Sequence, residues 1–474
     1  MKEQDWRRKI RMPSYRKYLE SNDYENIVKA YRNPDPARTS DRDAELYCKA
    51  LRKTGKEKQA TAFLEKVVDR GGCNYPRSVR LLARIYSVSG EYQKAIDLLQ
   101  KTFDQRPTQY WYYLSMGDVY YYHKKDLEAA FQVYVKGMDI GKEHLRRDIL
   151  SIYRYLLKRI SHCLFELGRF KDVIWYFEEF KRLEPSNFYE TDFVLLGQCY
   201  EKTGQKEKAL EIWKEGTRRR KGRKCLKEIE RVFPDEAKMI ILKPPLPSKP
   251  GSVKIPVKTK IITEEDDAAQ VIIESIKGIA QKGDIVTFAS AVAAITQARI
   301  YSAETIQPTR IARMLSGFVT ASSKNSFATT SPLANPLSFQ VAIEIAGLLK
   351  ILFATFCGAL GKLIGKKGWF YMVAGPEVAM IDDMPASMAP YDYFVIPGPY
   401  NSDKLAQIIK EKTGFEAAII DANDMGIAWA VGASDGVDKK ELEQFMADNP
   451  AGNEDDQTPI IIIRKAAATG QKED

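Results

Sequence analysis

Residues 196–213 read LGQCYEKTGQKEKALEIW and contain the pattern that decides the fold of the first half. Small Gly197 is followed three positions later by large Tyr200, Gly204 interrupts the apolar pattern, and a second pattern runs to Trp213. Apolar residues three and four positions apart indicate amphipathic helices. A glycine between two such patterns suits the turn that joins the helices. The stretch therefore predicts two helices that pack against each other, with the small residue allowing a close approach.

The same arrangement recurs along the first half of the chain. Copies begin at Tyr47, Leu82, Met116, Ile160 and Leu196. Regular recurrence at about 34 residues is typical of helical repeat proteins, and the pattern resembles the tetratricopeptide repeat (TPR) over about residues 40–216. The resemblance implies an all-α TPR solenoid of five units. We expect capping helices within residues 1–36 and 224–241, and a longer helix after an insertion near residues 139–152.

Repeat arrays of this kind bind proteins or peptides in a concave groove. The aromatic cluster around Tyr110, Trp111 and Tyr113 predicts a partner-binding surface, although some of these rings also occupy core positions of the repeat. The basic run at residues 218–224 has no interleaved aromatic residues and no motif of a nucleic-acid fold. We interpret it as a solvated surface and expect no nucleic-acid partner.

Charge and cysteine content separate two units and indicate a compartment. Residues 1–250 carry 52 Lys and Arg against 36 Asp and Glu, a net charge of +16, whereas residues 251–474 carry 21 against 27, a net charge of −6. The six cysteines lie far apart without a CxxC pair, which favours reduced thiols over disulfides or a zinc site. With no apolar signal segment at the start, we expect a cytoplasmic protein.

The domain boundary is predicted at a proline-rich stretch. Residues 242–252 include four prolines and cannot form a helix or a central strand, so we expect an extended linker. This divides the chain into a solenoid of residues 1–241 and a second domain of residues 253–474. Predicted strands of the second domain are 253–262, 283–289, 370–375, 393–396, 417–422 and 460–463, and predicted helices are 266–279, 303–317 and 402–413.

The most apolar segment, residues 341–363, is interrupted by glycines and contains Glu344 and Lys350. Charged residues in the middle of a membrane span are costly. We therefore expect buried helices and no membrane span.

One strand of the second domain ends in polar residues. Residues 417–426 read AAIIDANDMG, an apolar run followed by Asp421, Asn423 and Asp424. Oxygen ligands at such a strand end suit Mg²⁺ or Mn²⁺, and an ordinary turn is the alternative interpretation. An EF-hand does not fit, because a strand precedes the stretch and Met425 stands at a ligand position.

The order of motifs in the second domain resembles the glutamate ligase that elongates the deazaflavin coenzyme F-420. The resembling pieces are Ile255-Pro256-Val257-Lys258, Asp266-Asp267, Gly283-Asp284-Ile285-Val286, Arg299-Ile300, Val373-Ala374-Gly375-x-Glu377, Ile396-Pro397 and Thr413-Gly414 through Asn423. The resemblance covers about residues 253–440. It implies a multidomain chain in which the TPR solenoid is followed by an α/β (α+β) ligase-like domain.

The same resemblance implies a GTP-dependent reaction that joins glutamate to a carboxylate with the help of Mg²⁺ or Mn²⁺. It places metal ligands at Glu377, Asp421 and Asn423, with Asp382, Asp383 and Asp424 as additional acidic ligands, and it implies a homodimer. It assigns no catalytic residue. The chain departs from the family where Ala422 stands in place of Thr and Ile295 in place of Lys.

Two functions follow as hypotheses. The first is a nucleotide- and metal-dependent amide-bond ligase, tethered to a TPR array, that adds glutamate to an unknown acceptor. The alternative is a non-catalytic adaptor in which the array binds a partner and the ligase-like domain binds a ligand or dimerises. In a regulatory variant of the first, the solenoid controls access to the site.

Overall fold

The computed structural model describes most of the chain at the level of individual residues. The described ranges are 23–107, 110–142, 147–185, 187–219, 222–244, 246–323, 332–366, 368–383, 388–423, 425–452 and 455–465.

The first half consists of five consecutive helix pairs, which confirms the predicted TPR-like repeat. The pairs are α2 (Asp41–Lys53) with α3 (Glu57–Gly71), α4 (Pro76–Val88) with α5 (Tyr92–Gln105), α6 (Trp111–Asp118) with α7 (Leu127–Lys142), α8 (Arg147–Glu166) with α9 (Phe170–Leu183), and α10 (Glu190–Lys202) with α11 (Lys206–Thr217). Helix α1 (Tyr24–Tyr31) precedes them, and α12 (Arg223–Val232) and α13 (Pro234–Ala237) follow. A π-helical turn, Val119–Lys124, extends α6.

The small residue of the repeat makes the close helix contact that its position predicts. A methyl group at Gly197 would collide with the indole of Trp213, and one at Gly117 would collide with the ring of Tyr134. Protein interiors are close-packed, so glycine at these positions leaves the space that the facing aromatic ring fills. The repeat pattern thus encodes the packing of α10 on α11 and of α6 on α7.

The second half is an α/β domain built on a mixed sheet. Its strands are β1 (Ser252–Val257), β2 (Ile285–Ala289), β3 (Tyr301–Ser302), β4 (Asp382–Asp383), β5 (Phe394–Ile396), β6 (Glu416–Ala422), β7 (Ala428–Ala433) and β8 (Ile460–Lys465). Its helices are α14 (Ala268–Ile276), α15 (Ser290–Thr296), α16 (Arg310–Ser323), α17 (Pro336–Ala346), α18 (Leu348–Leu363), α19 (Trp369–Ala374), α20 (Pro376–Ala379), α21 (Ser402–Thr413) and α22 (Lys439–Met446).

The main sheet has the strand order β1-β8-β2-β6-β7. Strands β2 and β6 are parallel, and the other neighbours are antiparallel. Strand β1 lies at the edge, as Pro256 predicts, because proline cannot donate a ladder hydrogen bond. A second, antiparallel sheet has the order β3-β5-β4.

Helices cover both faces of the main sheet because its central strands are apolar on both sides. Val286 and Ile419 face one side, where they pack with Ile272 of α14 and Ile409 of α21. The opposite side buries Ile420 against α22. Alternate residues of a strand point to opposite faces, so continuous apolar strands such as residues 417–420 and 460–463 require this double cover.

Two sequence predictions are wrong in the second domain. The predicted strand 370–375 is replaced by helix α19 at residues 369–374, since a short apolar run does not distinguish the two states. A Cβ at Gly358 would lie 2.9 Å from Cβ of Phe370, so this glycine lets α19 pack closely on α18. The second wrong prediction is that the helices within residues 341–363 are buried, because one face of α18 is exposed.

No single helix of the described residues has the length and apolarity required to cross a bilayer. Pro336–Ala346 and Leu348–Leu363 meet that requirement only when taken together, and they are bent by 115° at Gly347.

The second domain docks on the concave face of the solenoid. The contacts come from the first helix of successive pairs, which is the helix that lines the inner face of a repeat array. Lys49 of α2, Arg84 of α4, Ser115 of α6, Arg159 of α8 and Thr191 of α10 all bond to the second domain. One continuous hydrophobic core also joins the two, from solenoid residues to Ala294 and Ile396.

The most buried of these contacts is centred on Arg159. Its guanidinium binds Asp392 of the second domain through two hydrogen bonds of 2.7 and 2.8 Å, and its Nε donates to Asp118 of the solenoid at 2.8 Å. Burial acts to lower the pKa of Arg159, but the two carboxylates outweigh burial and hold that pKa well above its usual value. The ion pair therefore ties α6, α8 and the segment before β5 together.

Replacing this arginine tests the interface. We expect Arg159→Ala to lower the free energy of unfolding by about 3–5 kcal/mol, because two buried carboxylates lose their cation. The matched control is Arg182→Ala, whose pair with Glu179 lies at the surface and should contribute little to stability. The measurement is urea denaturation followed by circular dichroism, and equal losses in the two variants would contradict the role given to Arg159.

Candidate functional site

The predicted metal residue Asp421 lies at the carboxyl end of β6. Parallel strand β2 ends beside it, because Ala289 pairs with Ile420 in the register and Ser290 follows. Burial raises the pKa of Asp421, and a hydrogen bond with Ser290 acts in the opposite direction. The carboxyl ends of parallel strands are where open α/β sheets place their ligands, so this is one candidate position.

Asn423 shapes the turn after β6. Its side-chain oxygen accepts the backbone N–H groups of Met425 at 2.9 Å and Ile427 at 3.3 Å. Its own backbone N–H donates to the carbonyl of Ile427 at 2.9 Å. These bonds match the alternative interpretation of an Asx turn between β6 and β7. Asp424 lies outside the described residues.

Glu377 lies in α20, where its carboxylate accepts a hydrogen bond of 2.9 Å from Arg299. Asp382 and Asp383 form the short strand β4, which pairs with β5. Asp382 and Asp383 therefore belong to the second sheet, whereas Asp421 belongs to the main sheet. Among the described residues, no group of three or more His, Cys, Asp or Glu side chains is arranged to hold a metal ion. The described side chains do not form a three-ligand site, and the predicted ligand set stays a prediction.

A cavity of about 650 Å³ lies between the solenoid and the second domain. The solenoid lines it with cations of its concave face, among them Lys49, Arg52, Lys53, Arg77, Arg80 and Arg84. The second domain contributes the acidic run Glu264 to Asp267 and residues 296–298. Ligand sites favour clefts of this size between domains, so the cavity is the second candidate site.

Several polar atoms of this cavity have no hydrogen-bond partner within the described structure. They are Nε of Arg52, Nε of Arg80 and Oε1 of Glu265, and all three are buried. Two of these atoms are still in ion pairs, because Nε of Arg80 lies 3.1 Å from Glu304 and Oε1 of Glu265 faces Nη2 of Arg52. Buried polar groups without partners are rare and costly. A bound molecule with anionic oxygens would satisfy Nε of Arg52.

The wall at residues 296–298 has an unusual backbone. Ala298 has a positive φ of 55°, a conformation that glycine adopts at lower cost. Lys49 donates to the carbonyl of Ala298 at 3.1 Å, and Lys53 donates to the carbonyl of Thr296 at 2.9 Å. Burial lowers the pKa of Lys53, while Glu265 and Glu264 act to raise it. The solenoid therefore holds this strained turn of the second domain in place.

Arg84 joins the cavity to the deeper interface. Its Nε donates to Glu264 at 3.0 Å, and its Nη1 lies 2.7 Å from Nε2 of His123. Burial acts to raise the pKa of Glu264, but Arg84, the hydroxyl of Tyr391 and Arg80 outweigh it and lower the pKa to about 2. Glu264 is consequently a fixed anion that holds the second domain on α4.

The aromatic residues predicted to bind a partner contact the chain itself. Trp111 stacks on Tyr393 of the second domain with ring centroids 6.0 Å apart. Tyr113 packs edge-on against Phe103, and Tyr110 is buried as well. An external partner at Trp111 would have to displace the second domain, and partner binding at these residues stays a prediction.

Sequence reasoning missed the cationic face of α2 and α4. Each of these residues is an ordinary charge on an amphipathic helix when seen alone. The available signal was the opposite net charge of the two halves, +16 against −6, which is complementary. This charge difference marked the domain boundary, and it also indicated that the two halves attract each other.

Comparisons with known proteins agree with this division into two parts. Residues 256–351 match the family model described as F420-0:Gamma-glutamyl ligase. This segment runs from β1 into α18 and contains the acidic run and the strained turn of the cavity. The chain is thus a TPR-like solenoid followed by an α/β domain that contains a γ-glutamyl ligase match.

Two solved structures similar to the solenoid are MamA and YrrB. A crystal structure of MamA is 16% identical and covers 48% of this chain and 99% of that one, with a TM-score of 0.29. YrrB, described as a TPR protein with an unusual peptide-binding site, is 16% identical and covers 46% of this chain and 100% of that one, with a TM-score of 0.30. No curated protein matches the sequence significantly.

His123 makes the interface sensitive to acid. Burial and the nearby charge of Arg84 lower the pKa of His123 to about 4, from an ordinary value of 6.5. The unfolded chain therefore takes up a proton first, and stability is lost as the pH falls from 6.5 to 4. We expect His123→Gln, whose amide oxygen still accepts from Arg84, to remove about 1–2 kcal/mol of this loss after solvent screening. Parallel melting-temperature profiles of the two proteins over this range would contradict the assignment.

Proposed function

We propose that the chain is a nucleotide-dependent ligase that forms an amide bond with glutamate, and that its substrates bind in the cavity between solenoid and second domain. The observation that carries the proposal is the composition of the two walls. One wall belongs to the segment that matches the γ-glutamyl ligase family, and the other is the cationic face of the solenoid. The acceptor is unknown.

The chemistry of such a reaction suits this cavity. A ligase of this kind holds glutamate, an acceptor carboxylate and nucleotide phosphates, all of which are anions. Guanidinium groups bind carboxylates and phosphates through charge-assisted hydrogen bonds, and they stabilise charge that develops during phosphoryl transfer. Arg52, whose buried Nε has no hydrogen-bond partner in the described structure, is the group we assign to this role.

The solenoid then forms part of the site as well as a tether. Lys49 and Lys53 hold the turn at residues 296–298, so the shape of the cavity depends on the solenoid. This supports the variant in which the array controls access to the site. It gives less support to an adaptor that presents an open groove, because its own second domain occupies that groove.

The cofactors and compartment belong to the same proposal. We propose GTP as cosubstrate and Mg²⁺ or Mn²⁺ as metal, but the described residues do not assemble a three-ligand site, so no step is assigned to the metal here. A reducing, cytoplasmic location is supported by six cysteines that are all free thiols.

Nucleotide binding tests the proposal directly. Thermal melting of the full chain would be measured with GTP and with ATP, each with and without Mn²⁺. A ligand at about 100 times its Kd stabilises the native state by about 2.7 kcal/mol, so we expect a clear rise in melting temperature with GTP. Arg52→Gln should lower the affinity about tenfold, as expected for losing one charge-assisted bond.

Two further variants complete this experiment. Arg38→Gln is the matched control, because its side chain is 81% exposed and lies outside the cavity, and it should keep the full shift. Asp421→Ala tests the predicted metal ligand: loss of the Mn²⁺-dependent part of the shift would support a metal at the end of β6, and an unchanged shift would exclude Asp421 as a ligand. The absence of a shift with either nucleotide would contradict the ligase proposal, and an unchanged shift in Arg52→Gln would contradict the position of the site.

A further inference from the structure

Helices α18 and α19 present an exposed apolar face. The large apolar side chains exposed on this face are Leu349, Leu352, Phe353, Phe356, Leu360, Leu363 and Met372. Leu349 and Leu363 are each 84% exposed, and Phe356 is 64% exposed. Monomeric proteins rarely leave a contiguous apolar surface of this kind uncovered.

The exposed residues of α18 follow a single helical stripe. They recur at intervals of three and four residues, while Ile351 and Ala354 on the other side are buried. Such a pattern belongs to an amphipathic helix that has two apolar contacts. One contact is the domain core, and the second lies outside the chain.

The stretch of sequence that contains this face has a net charge opposite to that of the rest of the domain. Residues 305–376 carry seven Lys and Arg and one Glu, a net charge of +6, within a domain whose net charge is −6. The single acid, Glu344, bonds to Arg77 of the solenoid at 2.8 Å. Lys350 and Lys366, both exposed, flank the apolar stripe near its two ends.

We infer that α18 and α19 form an interfacial anchor that docks the protein on an anionic phospholipid bilayer. Apolar side chains flanked by lysines match such a surface, where acyl chains lie beneath negatively charged headgroups. With 16 residues, α18 is about 24 Å long, shorter than the bilayer core of about 30 Å. Its bend of 115° from α17 allows it to lie along the surface.

A second copy of the chain fits this face less well. In a two-fold symmetric contact the same patch meets itself, so the lysines of one copy would face the lysines of the other. Residues 348–375 contain four lysines and no acid that could offset this repulsion. Lipid phosphates provide the opposite charge without that cost.

Vesicle flotation of the full chain tests the inference. The probes are vesicles of phosphatidylcholine alone and of phosphatidylcholine mixed with phosphatidylglycerol. We expect the protein to float with the mixed vesicles and to bind phosphatidylcholine alone at least tenfold more weakly. Phe353→Ser with Phe356→Ser should abolish flotation, whereas the control Trp175→Ser should not, although Trp175 of the solenoid is 51% exposed.

The charge is tested separately with Lys350→Gln and Lys366→Gln. Each lysine near an anionic surface contributes about fivefold in affinity, so the double variant should bind mixed vesicles on the order of thirtyfold more weakly. Unchanged melting temperatures of all variants confirm that they are folded, which is expected because the replaced side chains are exposed.

Two results would overturn the inference. One is a wild-type protein that floats with neither vesicle. The other is a wild-type dimer in light scattering that Phe353→Ser with Phe356→Ser converts to a monomer while vesicle binding is unaffected. The second result would assign the face to a second copy of the chain.

Discussion

The contact of Arg159 with Asp118 and Asp392 is the constraint on which the arrangement of the two domains depends. An arginine that is almost fully buried is tolerated only when its charge is compensated, and here one carboxylate comes from each domain. Arg159 can therefore bind both carboxylates only when the second domain lies in the concave face of the solenoid. Two contacts on neighbouring helices also join the domains. Arg84 binds Glu264, and Trp111 stacks on Tyr393.

In this arrangement the repeat array binds a domain of its own chain. Arrays of this kind usually present their concave surface to another molecule, but here that surface is occupied by the chain's own ligase-like domain. The docking leaves a cavity between a cationic and an acidic wall, and Nε of Arg52 at this cavity lacks a hydrogen-bond partner in the described structure. The apolar stripe of α18 remains exposed in this arrangement and is available to a different kind of surface.

Local patterns in the sequence predicted the repeats and much of the sheet, whereas contacts distant in sequence were not predictable. Gly197 and Trp213 belong to one repeat, so their spacing alone indicated their packing. Strands β6 and β8 were predicted because their apolar runs are long enough to be distinctive. Helix α19 and strand β7 were missed because a short apolar run is ambiguous. The contact of Arg159 with Asp392 spans 233 residues, and no periodicity relates such positions.

The measurement that tests this account most directly is to cut the linker. Replacing residues 243–247 by the recognition sequence of a specific protease allows the chain to be cleaved after folding, without removing any residue of the interface described above. We expect both fragments to elute together in size-exclusion chromatography, even at high salt, because buried ion pairs are only weakly screened. Separation of the two fragments at moderate salt would contradict it.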